Sequence, residues 1–276
     1  MFELPECVTL VRQMNATLPG KTIQCGQLGN SPHKFVWYNR SHEEFEQLTE
    51  GRIVGSAKAK GKWMFIPLEP DYVLLLGDCG GKVLYHPTQA TVPERYHLLL
   101  AFTDGSAFSV TTQMWGIMDL FVQGEEQNRY YVKDMRPTPD DAAFTFDYFN
   151  ALIDSLAADK KRSVKGLLTL DQLIPGLGNS IAQDVLFRAH LHPKHLIIDL
   201  DHEQRQGLFE AIVSTVQLVI DGGGRSDEVD LYNHRGGYVR IMQKDAVGRS
   251  CPDCGHPVAK LQYLGGACYY CPHCQQ

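Results

Sequence analysis

The sequence predicts an α+β fold: an N-terminal antiparallel β-sandwich with flanking helices, then a helical domain, then a small metal-stapled finger. Three observations carry that reading. Between residues 21 and 135 the chain is a series of short runs rich in β-branched and aromatic residues, separated by turn dipeptides such as Gly80-Gly81 and Asp104-Gly105. Past Pro137 and Pro139 the apolar spacing changes to that of amphipathic helices. The chain then closes on two Cys-x-x-Cys pairs, Cys251/Cys254 and Cys271/Cys274, with sixteen residues between them. Domains are accordingly expected at 1–136, 137–246 and 247–276.

Leu4, Cys7, Val8, Val11, Met14 and Leu18 recur at helical spacing, so a helix starts near residue 3. Pro5 falls in its first turn, where a missing N–H costs nothing, and Pro19-Gly20 stops it. Glu3 and Glu6 lie at the positive end of this helix, where dipole complementarity alone accounts for them. Seven strands follow, at Thr22–Cys25, Ile53–Ala57, Trp63–Leu68, Tyr72–Gly77, Lys82–His86, Tyr96–Phe102 and Ala107–Thr112, as in a sandwich. Glu43–Leu48 reads as a short exposed helix. In the second half, helices are expected at Asp147–Ala158, Leu170–Leu173, Ser180–His190 and Glu203–Asp221, the last ended by Gly222-Gly223-Gly224. Residues 225–250 are polar and contain glycines, and read as a loop into the finger.

Hydrophobic content of 43% and charged content of 21% describe an ordinary globular chain. The N-terminus lacks the basic and apolar regions of a secretory signal. The longest apolar runs, such as Val73–Leu76 and Leu98–Phe102, are strand-sized, so no membrane partner is expected. Eight cysteines without a secretory signal point to a reducing, cytoplasmic compartment. A net charge of −6 weighs against a broad nucleic-acid footprint. The charges are unevenly spread, however: Lys58, Lys60 and Lys62 cluster, as do Lys160, Lys161, Arg162 and Lys165. One basic groove is compatible with the total.

Four thiolates at this spacing suit a tetrahedral Zn²⁺ site, two sulfurs from each knuckle. All four positions are protein, so the zinc is structural and staples a tail too short for its own core. A pair of redox disulfides would need βαβ surroundings that the flanking sequence lacks. Pro175-Gly176-Leu177-Gly178-Asn179-Ser180 lies between two helices. Its glycines leave backbone N–H groups and Asn179 at a helix N-terminus, a seat for phosphate. Asn179 as a plain cap of a helix beginning at Ser180 fits the spacing equally well.

Taken together, these residues resemble the formamidopyrimidine-DNA glycosylase/endonuclease VIII family of base-excision repair proteins. The resemblance is carried by Glu3-Leu4-Pro5-Glu6, Gly61-Lys62, Leu170-Asp171-Gln172 with Pro175–Asn179, Leu186-Phe187-Arg188-Ala189 with His192-Pro193, and the finger, in order along the whole chain. It implies a helix-two-turn-helix domain ahead of the four-cysteine zinc finger, a monomer binding double-stranded DNA in a cleft between domains, and a damaged base flipped into a pocket. It also implies site residues: Glu3 handles protons, Glu6 is the second N-terminal acid, and Lys62, Lys165 and Asn179 hold the DNA.

The chain departs from the family where an N-terminal proline would attack the sugar through its amine. Phe2 stands there, and a bulky second residue favours retention of Met1. The Met1 amine would lie up to ~3.5 Å from the place of the proline amine, and misplacement on the order of 1 Å already costs about a hundredfold in rate. No Arg lies between the knuckles, and the family's wedge positions fall near Asp78 and Met114-Trp115, where Trp115 keeps an aromatic wedge. The expectation is a nucleoid-associated protein that binds damaged DNA. It is read as a glycosylase using Glu3 to activate water, with the β,δ-lyase step weakened. The alternative is a catalytically silent reader of lesions, abasic sites or distorted DNA.

Overall fold

The computed structural model describes every residue except 32, 130, 131, 133 and 134. The chain divides into two units, Met1–Met135 with Gly222–Gly237, and Arg136–Asp221 with Tyr238–Gln276. The first contains α1 (Leu4–Thr17), β1 (Ile23–Leu28), β2 (Val36–Tyr38), α2 (His42–Thr49), β3 (Ile53–Val54), β4 (Lys58–Lys60), β5 (Trp63–Glu69), β6 (Tyr72–Gly77), β7 (Gly81–His86), β8 (Leu98–Phe102), β9 (Ala107–Thr112) and β10 (Gly116–Val122). One sheet runs β1-β8-β9-β7; the other runs β2-β10-β6-β5-β3, with β4 also on the outer edge of β5.

The expected antiparallel sandwich is present, with one parallel pair where β2 joins β10. Neither of those strands is legible in the sequence. Val36–Tyr38 is too short to show a period, and Gly116 and Asp119 interrupt the apolar pattern of β10. Strand β5 alternates as a half-buried strand must, turning Met64, Ile66 and Leu68 inward. These residues meet Leu100, Phe102, Phe108 and Val110 of the other sheet, and Cys7, Leu10, Val11 and Met14 of α1 close the core. Full burial of each large apolar side chain is worth about 1.5–3 kcal/mol.

Segment 222–237 lies inside the stretch that the sequence assigns to the second domain, yet it packs on the first unit. Leu231 enters the sandwich core. Its N–H donates to Gln13 Oε1 at 2.9 Å, Gln13 Nε2 donates to Asp230 at 2.9 Å, and the Tyr85 N–H donates to the Leu231 carbonyl at 2.9 Å. The segment is held by polar bonds over a long sequence separation, which a hydrophobic pattern does not register.

The second unit contains α3 (Phe146–Ser155), α4 (Val164–Thr169), α5 (Asn179–Arg188), α6 (His202–Asp221) and a finger hairpin, β11 (Ala259–Tyr263) with β12 (Gly266–Tyr270). The helix expected at Leu170–Leu173 is displaced. The helical turns are those of α4, capped by Ser163, whose Oγ accepts the Gly166 N–H at 3.1 Å. Residues Asp171 and Gln172 are both left-handed, at φ 56° and 47°, which ends any helix. Gln172 closes the turn, accepting the Gly176 N–H at 3.0 Å and donating to the Leu177 carbonyl at 3.2 Å. Among the described residues no helix is long and apolar enough to cross a membrane.

Candidate functional site

The N-terminal residues of the first unit converge on a buried charge cluster. Glu3 caps α1 and forms a reciprocal capping box with Glu6, whose Oε2 accepts the Glu3 N–H at 2.9 Å. Arg225, only 2% exposed, comes from the loop after α6 and faces both acids, themselves 4% and 3% exposed. Its Nε donates to Glu6 Oε1 at 2.9 Å, its Nη2 to Glu6 Oε2 at 3.0 Å, and its backbone N–H to Glu6 Oε1 at 3.1 Å. Nη2 also donates to the Met1 carbonyl at 2.9 Å, while Nη1 stands 4.0 Å from Glu3 Oε1. Burial works against the guanidinium charge, but Glu6 and then Glu3 outweigh it and hold Arg225 above its ordinary value.

Met1 is drawn into the same cluster, its amine ion-paired with Glu228 at 3.0 Å. Phe2 is buried in the sandwich core, its N–H donating to the Cys79 carbonyl at 2.9 Å. Met1, Glu3 and Glu6 thus share the charge cluster, while the Phe2 side chain lies in the sandwich core beside it. Arg225 and Glu228 are not foreseen by the sequence. The only signal, three glycines before Arg225, marks a tight backbone but not where it goes.

Lys62 is half-buried and follows Gly61, whose φ of 58° lets β4 turn into β5. Trp115 lies on the same unit, in contact with Trp37 and Phe35 and not isolated on a loop. Asp78 is left-handed, at φ 48°, just before the Cys79 carbonyl that anchors Phe2.

In the second unit, Asn179 is the exposed first residue of α5. The cap is Gly178, and the Asn179 side chain instead donates to the Ala267 carbonyl of the finger hairpin at 3.3 Å. Capping is therefore not its role. Lys165 is 2% exposed, and its Nζ donates to the Tyr263 carbonyl at 2.6 Å. That bond fixes the hairpin turn from α4. Gln183 completes the attachment, accepting the Tyr269 N–H at 2.6 Å.

The Sγ atoms of Cys251, Cys254, Cys271 and Cys274 all lie within 4.8 Å of one another, and the thiols are free. Tetrahedral zinc with Zn–S bonds near 2.3 Å sets its sulfurs about 3.8 Å apart. Cys251 to Cys274 at 3.8 Å and Cys254 to Cys271 at 3.5 Å match that spacing. Burial raises the Cys271 thiol, but the Cys274 and His273 N–H groups and the neighbouring thiols prevail and bring it to about 7. The four cysteines fit a structural zinc.

Comparison with known proteins adds an independent measure. The family model described as Formamidopyrimidine-DNA glycosylase N-terminal domain matches residues 1–114, and that described as Formamidopyrimidine-DNA glycosylase H2TH domain matches 135–229. A formamidopyrimidine-DNA glycosylase of Bacillus cereus is 28% identical over 281 residues, spanning 100% of this chain and 99% of that protein. That of Lactobacillus acidophilus is 28% identical over 285 residues, with the same coverage. Among solved structures, Lactococcus lactis Fpg in complex with an abasic site containing DNA has a TM-score of 0.86 at 23% identity, over 99% of each chain. MutM in complex with carbocyclic 8-oxo-G containing DNA has a TM-score of 0.84 at 23% identity, with the same coverage. At these identities the structural likeness speaks for the fold.

Proposed function

Since the chain belongs to the formamidopyrimidine-DNA glycosylase/endonuclease VIII family, we propose that it binds double-stranded DNA carrying a lesion and hydrolyses the N-glycosidic bond of the damaged base. The observation that carries this reading is the burial of both N-terminal acids of the family motif in one cluster at the start of α1, with Glu6 bonded to Arg225 through both oxygens and Glu3 4.0 Å from the same guanidinium. By its place in that motif, Glu3 is the carboxylate assigned to take a proton from the water that adds to the sugar C1′ as the base leaves. The lyase step is not part of the proposal: the Met1 amine is engaged by Glu228 at 3.0 Å, and Phe2, at the position of the family's proline, is buried in the sandwich core. Lys62 and the exposed Asn179 are assigned to phosphates, and Lys165 to positioning the finger hairpin. The protein would act as a monomer in the cytoplasm, on nucleoid DNA.

Arg225 favours a second reading. A guanidinium buried against both acids offsets one of their two charges and holds Glu6 in a structural ion pair, as suits a silent reader of lesions, abasic sites or distorted DNA. Incubation with duplexes bearing an abasic site, an oxidised purine or an oxidised pyrimidine separates the readings. Alkali-sensitive sites with no borohydride-trapped adduct are expected, and Glu3→Gln removes base release while retaining binding. A trapped adduct would restore the lyase step to a displaced amine. Binding without base loss would establish the silent reader. Joint replacement of Lys62 and Asn179 by Ala is expected to abolish duplex binding in a gel shift, and unchanged binding would sink the assignment of both residues.

A further inference from the structure

All three tryptophans of the chain stand at one end of the larger sheet. Trp37 pairs with Ile117, Ile117 with Gly77, and Gly77 with Trp63, so these positions form one row across four strands. Gly77 leaves room for the Trp63 ring, since a Cβ there would fall 1.7 Å from its Cζ3. Trp115, just before β10, stacks on Trp37 with centroids 5.5 Å apart and planes 12° from parallel. Phe35 lies against Trp115 at 4.7 Å. These rings are not covered by the rest of the unit: Phe35, Trp37 and Trp115 are 38%, 44% and 39% exposed, and Met114 beside them 54%. Single exposed apolar side chains are ordinary, but a contiguous group of this size marks an interaction site.

We propose that the Phe35–Trp115–Trp37 cluster is a stacking platform for an unpaired nucleobase of DNA, and not a wedge driven between paired bases. This rests on the DNA-binding reading above and deepens it. A wedge must leave its neighbours and enter a base step alone, whereas Trp115 is braced by two other rings and would break its own stack to do so. Stacking on a ring surface needs no such change, and accepts any base because every base has a π-face. The surrounding charge suits a nucleotide more than an apolar peptide. The Lys34 ammonium is 5.4 Å from the Phe35 centroid, so a phosphate beside a base laid on these rings meets a cation at the edge of the cluster.

The test uses the full-length, zinc-loaded protein and two labelled duplexes that differ only by one single-nucleotide bulge. Fluorescence anisotropy is expected to give tighter binding to the bulged duplex, by about five- to a hundredfold. Trp37→Ala and Phe35→Ala should each bring that ratio toward one, while Trp37→Phe, which keeps a ring, should retain most of it. Circular dichroism melts identify any variant that fails to fold, and the Trp37→Phe and Phe35→Ala pair then supplies the comparison. The platform is overturned if the paired duplex binds as tightly as the bulged one, or if the ratio survives loss of the rings. In either case binding to the paired duplex leaves the broader DNA reading standing. Binding to neither duplex removes both. Competition by an aromatic-rich peptide, with no effect of the bulge, would assign the surface to a protein partner and also overturn the proposal.

Discussion

Arg225 is buried with its charge intact because its partners are buried with it, and so Glu6 and Arg225 stand or fall together. Arg225→Met leaves Glu6 in the interior without its cation, and is expected to destabilise the first unit by about 3–5 kcal/mol. Adding Glu6→Leu to that variant should recover much of the loss, because two apolar groups replace an ion pair at little net cost. Urea denaturation of Arg225→Met, Glu6→Leu and the double variant measures both, and single losses that simply add up to the double loss would mean the pair is not coupled. A second residue ties stability to pH. The Nδ1 of His97 accepts the Thr112 N–H at 2.9 Å, which requires an unprotonated nitrogen. Burial first, and His33 beside it, lower the His97 pKa from 6.5. The unfolded chain therefore binds more protons between the lowered value and 6.5. The stabilisation is complete above that window and is lost as pH falls through it. The urea midpoint should drop as pH falls below 6.5, and the drop should be smaller in His97→Gln, whose amide oxygen accepts the same N–H at any pH.

At the scale of elements, the boundaries of α1 and α6 are legible in the sequence from their helical spacing and stop signals, and those of β6 and β9 from short apolar or β-branched runs bounded by turn residues. The parts that were not legible have specific physical causes. The apolar spacing of Leu170 and Leu173 imitates a helix, yet the backbone there turns left-handed at Asp171 and Gln172 and places the helix at α4. Glu3 and Glu6 are readable from one short motif, whereas Arg225 meets Glu6 across 219 positions and carries no local signature. The pairing of β6 with β5 offers a direct check. Gly77→Ala places a Cβ 1.7 Å from the Trp63 ring, which must swing away. Overpacking of this kind costs about 1–3 kcal/mol. The expected outcome is a lowered melting temperature with a shift in tryptophan emission. Unchanged emission would mean that the ring does not lie across β6.

For the whole molecule, the distribution of cysteines turns the division into two units into a countable result. Eight free thiols are present: Cys7, Cys25 and Cys79 in the first unit, and Cys251, Cys254, Cys268, Cys271 and Cys274 in the finger. Cys7 and Cys79 are buried, and burial raises both, Cys79 to about 12, so neither reacts while the sandwich is folded. Cys25 is half-buried at an edge strand. With zinc bound, the four ligand thiolates and the buried Cys268 are protected, and Cys25 alone should react with a thiol reagent. Chelation removes the bond network that holds the finger, leaving Lys165, Asn179 and Gln183 with a hairpin that has no core of its own. The five finger thiols should then become reactive, while Cys7 and Cys79 stay silent and the far-UV signature of the sandwich persists. Release of all eight thiols at one rate would mean that the sandwich unfolds with the finger, and that the two units are a single cooperative body held by one metal.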